Sequence, residues 1–209
     1  MVNLKRTRED ILSSVGELIH RQGIQSTGLK ELFAVSQVSS GSFYNYFESK
    51  DELAHALIDF KWNELKAAIL IPAMNASEDP IANLFWMIDR LEEKHLTDPN
   101  CAGCLLGNLI VDLVAHDSSF QEHLVQVFNE WQNAIAQLLQ AGQTQLQPNI
   151  NSEELAEQLL AMIEGVLLME RLYKQPARLH RGFDNIRCFL KTSLYQPSNF
   201  TDNSRLSIK

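Results

Sequence analysis

Apolar residues recur every three to four positions along most of the chain, and strict two-residue alternation is hard to find, so the pattern predicts helices throughout. Ile11, Leu12, Val15, Leu18 and Ile19 form one helical face over residues 7–22, and Gly23 supplies a stop. Thr27 stands where it can cap a short second helix carrying Leu29, Leu32 and Phe33, with Glu31 near the capping-box position. Residues 36–39 read as a polar turn and 40–46 as a third short helix. Ser49 then caps a long helix whose first turn holds Asp51 and Glu52, where the helix dipole favours them. That helix continues through Leu53, Leu57, Ile58, Trp62 and Leu65 to about residue 71, and Pro72 ends it. Five more helices are predicted over 79–96, 102–115, 118–146, 152–174 and 178–195, with Pro176 and Pro197 bounding the last. Residues 196–209 are polar and read as a mobile tail. The 152–174 segment is apolar around much of its circumference, which predicts burial on several sides, in a core or against a partner subunit.

Composition narrows the picture. The chain has 209 residues and is 45% hydrophobic, enough for a sizeable core in one or two compact domains. Its net charge of -8 by itself argues against nucleic acid, whose phosphates need a basic surface. The acid is unevenly placed, however: residues 1–50 hold 6 Lys and Arg against 5 Asp and Glu, and the excess lies in the remainder. A local positive face near the N-terminus is therefore compatible with the total. No charged segment leading into an apolar run opens the chain, and the apolar stretches 104–115 and 159–169 are too short or too broken to span a bilayer, so the expectation is a soluble, cytoplasmic protein with no membrane partner. Three cysteines, an odd number, argue against a disulfide framework.

Two short helices joined by a four-residue turn and backed by a supporting helix make a helix-turn-helix, with 40–46 as its recognition helix. Ser39, Ser40 and Ser42 offer hydroxyls, Gly41 permits close backbone approach, and Tyr44, Asn45 and Tyr46 can reach phosphates or base edges. Lys50 begins the next helix, where a phosphate would approach, and Phe43 and Phe47 anchor the short helix. The run from Thr27 to Leu32 (TGLKEL) and that from Val38 to Leu53 (VSSGSFYNYFESKDEL) resemble the TetR family of one-component bacterial regulators over residues 5–60. Two positions depart from that pattern: Gln37 occupies a turn site where glycine is frequent, and Ser40 one where lysine is frequent. The resemblance implies an all-α fold of about nine helices. Residues 1–50 would form a three-helix DNA-binding domain, helix 50–71 a connector, and 72–195 a ligand-sensing and dimerisation domain. It makes Thr27, Lys30, Ser39, Ser40, Gly41, Ser42, Tyr44, Asn45, Tyr46 and Lys50 the expected DNA contacts, with Lys5, Arg6 and Arg8 following the backbone or minor groove. Each has a plainer reading: Thr27 as a cap, the tyrosines as packing aromatics, Lys50 as a solvated lysine.

The segment from Cys101 to Leu109 (CAGCLLGNL) resembles the helix start of a branch of that family responding to electrophiles and oxidants such as N-ethylmaleimide. A thiol in the first turn of a helix is expected to have a lowered pKa and more reactive thiolate, which makes Cys104 the sensor candidate and Cys101 its disulfide partner. Some members of that branch carry a lysine of the 152–174 helix near the thiol; Arg171 falls there instead, able to stabilise a thiolate but a poor nucleophile that would not form the same adduct. Cys188, mid-helix, is expected to be buried and inert. Phe85, Trp86, Trp131 and Met162 are candidates for lining a ligand pocket, with plain core packing as the alternative, as for Met87, Ile135 and Leu138.

Other classes fit less well. The Cys101–Cys104 spacing matches a redox pair, but no βαβ context surrounds it. Asp112 and His116 lie one turn apart with His123 following, a thin basis for a metal. No phosphate loop, nucleophile elbow or triad is evident, so no enzyme, metal or cofactor is expected. The reading is a dimeric TetR-like repressor of a near-palindromic DNA operator, released by an inducer, through oxidation or alkylation of Cys104 or by reversible binding of an apolar small molecule. A helical adaptor without DNA binding is the remaining alternative.

Overall fold

The computed structural model describes residues 6–98, 100 and 102–195. Among them the fold is all-α. Nine helices follow in order: α1 Arg8–Gln22, α2 Leu29–Ser36, α3 Ser40–Tyr44, α4 Lys50–Leu65, α5 Pro80–Leu96, α6 Leu105–Leu113, α7 Ser118–Ala141, α8 Ser152–Tyr173 and α9 Pro176–Ser193. Most start on a side-chain cap. Thr7 and Asp10 form a capping box on α1, Ser39, Ser49 and Asn151 cap α3, α4 and α8, and Asp79 and Asp117 cap α5 and α7.

Three local expectations are corrected. The N-cap of α2 is Gly28, whose N–H is taken by the Glu31 carboxylate; Thr27 is 1% exposed and turns its hydroxyl to the Gly23 carbonyl at 2.6 Å. Pro72 does not end the fourth helix. Residues Lys66–Leu70 widen into a π turn and the helix runs on over Ile71–Ala73. The wider register absorbs what a proline ring does to the preceding turn, namely a missing N–H and a crowded carbonyl. Pro176 is the first residue of α9 rather than a boundary outside it, the position where its missing N–H costs least.

The first three helices close over Ile11, Val15, Ile19, Leu32, Phe43 and Phe47, with Leu53 and Leu57 of α4 completing that core. Further on, α7 packs on α8, α8 on α9, α9 on α5 and α5 on α7, while α4 reaches α1, α6 and α7. Residue pairs distant in sequence join the two halves. The ring Nε2 of His20 on α1 donates to the Gly103 carbonyl at 2.7 Å, and Asp112 at the end of α6 accepts the N–H groups of Ile24 and Gln25. Gly103 has a left-handed φ of 73°, and a Cβ there would meet the Leu167 carbonyl oxygen at 2.7 Å. The sharp bend before α6 therefore needs glycine. At the far end Gln147 and Tyr195 exchange backbone bonds with Ser193 and Gln145, tying the end of α9 to the segment after α7.

Candidate DNA interface and sensor cavity

α3 is only five residues long, ending at Tyr44, so packing rather than propensity holds it. Phe43 is fully buried between Phe33 and Phe47, with ring centroids 5.1 and 5.4 Å away. Burial of that one ring, about 2–3 kcal/mol, fixes which face points outward. The outward face carries Ser40, Gly41, Ser42, Tyr44 and Asn45, all exposed. Tyr44 is braced edge-on against Phe33 and Phe43, so its position is set before any partner arrives. A Cβ on Gly41 would meet nothing within 4 Å, so no internal contact demands glycine there. Ser39 spends its hydroxyl on capping, accepting from the Ser42 N–H, and remains exposed. Lys30 is exposed at the start of α2 and Lys50 half-buried at the start of α4, flanking this face.

Two of the expected DNA contacts lie elsewhere. Thr27 is inside, as described above. Tyr46 is half-buried, and its hydroxyl donates to the Arg6 carbonyl at 2.7 Å. It therefore ties the N-terminal arm to the reader, an arrangement reinforced by the Arg8 guanidinium 5.0 Å from the centre of the Phe47 ring. Lys5 lies outside the described residues.

Beneath the reader is a cavity of about 120 Å³. Its walls come from α1 (Gly16, Glu17, His20), α4 (Lys61, Leu65), α5 (Lys94, His95), the start of α6 (Gly103 to Leu106) and Trp131 of α7. Trp131 is buried, and among the described residues its indole N–H has no acceptor. His95 is held neutral, its pKa pushed down to about 4 by burial. Of the four expected pocket residues, only Trp131 faces this space. Met162 lines a separate open groove between α8 and α9, and Phe85 and Trp86 are half-buried beside Lys191 and Arg90. Met87, Ile135 and Leu138 are core.

Cys104 is the N-cap of α6 and lines the cavity, but its chemistry differs from the expectation. The pull of the helix start is present in the N–H groups of Leu106 and Gly107. It is outweighed by burial and by the neighbouring Glu164 carboxyl, and the thiol pKa is raised well above its usual value. Glu164 is itself pushed up to about 7 by burial. The group beside the thiol is thus acidic, and Arg171 instead lies against Gly103. Gly107 makes the room: a Cβ there would run into the Glu164 carboxylate. Cys101 lies outside the described residues. Cys188, expected to be buried near the dimer interface, is exposed on the single chain.

Sequence reasoning missed Glu164, the His20–Gly103 bond, the role of Asp112 and a histidine pair, His55 and His123. All are contacts across 60 residues or more, for which the chain offers no local signal. Asp112 and His123, two of the weighed metal ligands, are occupied by backbone N–H groups and by Asp59. No described helix is long and apolar enough to cross a membrane.

Comparison with known proteins agrees with this arrangement. The family of bacterial regulatory proteins called tetR matches residues 11–57, and the tetracyclin repressor-like C-terminal domain matches 80–186. A Lactococcus lactis protein described as an uncharacterized HTH-type transcriptional regulator is 33% identical over 192 residues, 91% of this chain and 94% of its own. The crystal structure of a TetR regulatory protein from Rhodobacter sphaeroides superposes with a TM-score of 0.77 at 26% identity, covering 90% of this chain and 98% of that one. The Escherichia coli repressor NemR is 38% identical over 53 residues, 25% of this chain and 27% of NemR. Its reduced form shares the fold, with a TM-score of 0.76 at 19% identity over 92% of this chain and 100% of that one.

Proposed function

Because the chain belongs to the TetR family of bacterial transcriptional regulators, which are DNA-binding proteins and not enzymes, we propose that it is a homodimeric, cytoplasmic repressor of a near-palindromic operator. The observation that carries this reading is the outward face of α3, where Ser40, Gly41, Ser42, Tyr44 and Asn45 stand exposed over a buried Phe43. Two such faces, about 34–36 Å apart, would enter successive major grooves. Residues 1–50 are the reader, the helix from Lys50 the connector, and 72–195 the sensing and pairing domain. Dimerisation through α8 and α9 is supported by the exposed Leu168, Leu172 and Tyr173 and by Glu170. Glu170 is buried with both carboxylate oxygens unpaired among the described residues, in a groove also lined by Arg178 and Arg181. A second copy would supply the missing partners.

The inducer on this reading is a small molecule taken up reversibly in the cavity, where the orphaned Trp131 N–H awaits an acceptor, Leu65, Leu105 and Leu106 supply apolar contact, and Lys61 and Lys94 stand at its walls. Covalent modification of Cys104, which the resemblance of residues 101–109 implies, is the second reading. It is favoured by the position of the thiol on the same cavity and disfavoured by its raised pKa.

A gel shift on the DNA upstream of the protein's own gene, with and without N-ethylmaleimide or hypochlorite, separates these readings. Wild type is expected to give a specific shift, and Tyr44→Ala to lose about 1–3 kcal/mol of operator affinity while remaining dimeric. Unchanged affinity in that variant would sink the reader assignment. Release of the wild type by the reagent but not of Cys104→Ser would establish covalent sensing. Equal responses in the two proteins would leave reversible ligand binding.

A further inference from the structure

His55 and His123 form a hydrogen-bonded pair that belongs neither to the reader's outward face nor to the cavity. His55 lies near the start of α4, within the segment matched to the DNA-binding family, and His123 lies in the first turns of α7. Their Nδ1 atoms are 2.9 Å apart. The Nε2 of His123 is 2.8 Å from Asp59, and the Nε2 of His55 is 3.2 Å from the Ser119 hydroxyl. The His55 ring also stacks on Phe120, with centroids 4.3 Å apart.

All four ring nitrogens are thus committed, and the chain of bonds has a direction. Asp59 accepts only, so His123 donates to it from Nε2 and, when neutral, accepts at Nδ1. His55 then donates from Nδ1 and accepts the Ser119 hydroxyl at Nε2. One added proton is tolerated: His123 becomes a double donor and His55 changes tautomer, donating to Ser119 Oγ. A second proton is not tolerated, because both Nδ1 atoms would then carry hydrogens facing each other across 2.9 Å.

We propose that this pair is a proton-sensitive latch between the reader's connector helix and α7, closed at neutral pH and opened by the second proton. The charged groups facing it are Asp51 and Asp59 from α4 and Asp117 from α7, which favour protonation. Burial and His123 outweigh them at His55, whose pKa is lowered. The contact therefore holds above the ordinary imidazole value of about 6.5 and is lost as pH falls below it. Opening frees the start of α4, on which the orientation of the recognition helix depends, so acidification weakens operator binding. The DNA arm of this inference rests on the repressor reading; the titration of the rings does not.

The test pairs operator affinity against pH, for wild type, His55→Asn and His123→Gln, with NMR titration of the histidine rings in the DNA-free dimer. Wild-type affinity is expected to fall several-fold between pH 7.5 and 5.5, and both variants to lose that fall. The wild-type His55 ring should titrate on the acid side of an ordinary histidine. Variants that retain the wild-type pH dependence, or a His55 ring titrating at the ordinary value, would overturn the latch. A protein that binds no operator at either pH would count against the repressor reading, and the ring titration would then decide the latch alone.

Discussion

The reader and the sensor half are built on opposite principles. In the reader a short motif does nearly everything: caps, a turn and two phenylalanines orient a five-residue helix whose outward residues are polar, with one glycine. In the sensor half the residues of interest are brought together from distant segments, and their chemistry is set by burial. Cys104 and Glu164 are 60 positions apart; burial pushes both the thiol and the carboxyl up, and Glu164 adds to the rise at the thiol. Where constraint is local, identity implies role. Where it is tertiary, identity gives only a candidate, and the environment sets the behaviour.

The sharpest way to break the comparison is Phe43→Ala. Phe43 is fully buried and anchors α3, so truncation is expected to cost about 3–5 kcal/mol and to melt the reader. Operator binding should vanish while most far-UV helical signal and the dimer mass persist. Loss of the whole fold instead would show that the two halves are one cooperative unit, joined through His20–Gly103 and Asp112 more tightly than the comparison allows.

The legibility of the chain follows the same division. The helices, the recognition helix and its five outward residues are readable because 3.6-residue periodicity and capping residues are local signals. Thr27 and Tyr46 are misread because each spends a polar group suited to DNA on a backbone carbonyl, Thr27 on Gly23 four residues back and Tyr46 on Arg6, which only the folded chain brings near. Pro72 is misread because a π turn, which has no sequence signature, makes room for it. The macrodipole argument at Cys104 is sound as far as it goes, since the N–H groups of Leu106 and Gly107 do act on the sulfur. It fails because desolvation, with Glu164 added to it, acts on the thiol more strongly.

Glu164→Gln sharpens the sensor side. Removing the carboxylate takes away one of the forces raising the Cys104 pKa, so alkylation by N-ethylmaleimide at about pH 8 should run several-fold faster than in wild type. The same substitution has a stability signature. The folded-state pKa of Glu164 is raised to about 7, so its contribution is fully present below the unfolded value of about 4.5 and is lost as pH rises through 7. Wild type should therefore lose stability relative to Glu164→Gln over that window, on the order of 1–2 kcal/mol, measured by urea denaturation at pH 5 and pH 8. Parallel curves at the two pH values would mean that water reaches the carboxyl and that Glu164 has no hold on the thiol.

The smallest effect belongs to the reader and tests whether its geometry is set as locally as argued. Gln37 ends α2 in a left-handed conformation, φ 56°, which costs a residue with a side chain about 1–2 kcal/mol. The turn requires no Gln37 side chain bond: the backbone N–H already reaches the Ala34 and Phe33 carbonyls. Gln37→Gly removes the strain but adds freedom to the unfolded chain, so the net gain should be about 0.5–1 kcal/mol, a rise of about 1–4 °C in melting temperature. Because the turn keeps its path, α3 keeps its orientation, and operator affinity should not change. A stabilised variant with weakened binding would mean that the Gln37 side chain itself meets the operator, moving the edge of the DNA interface into the turn.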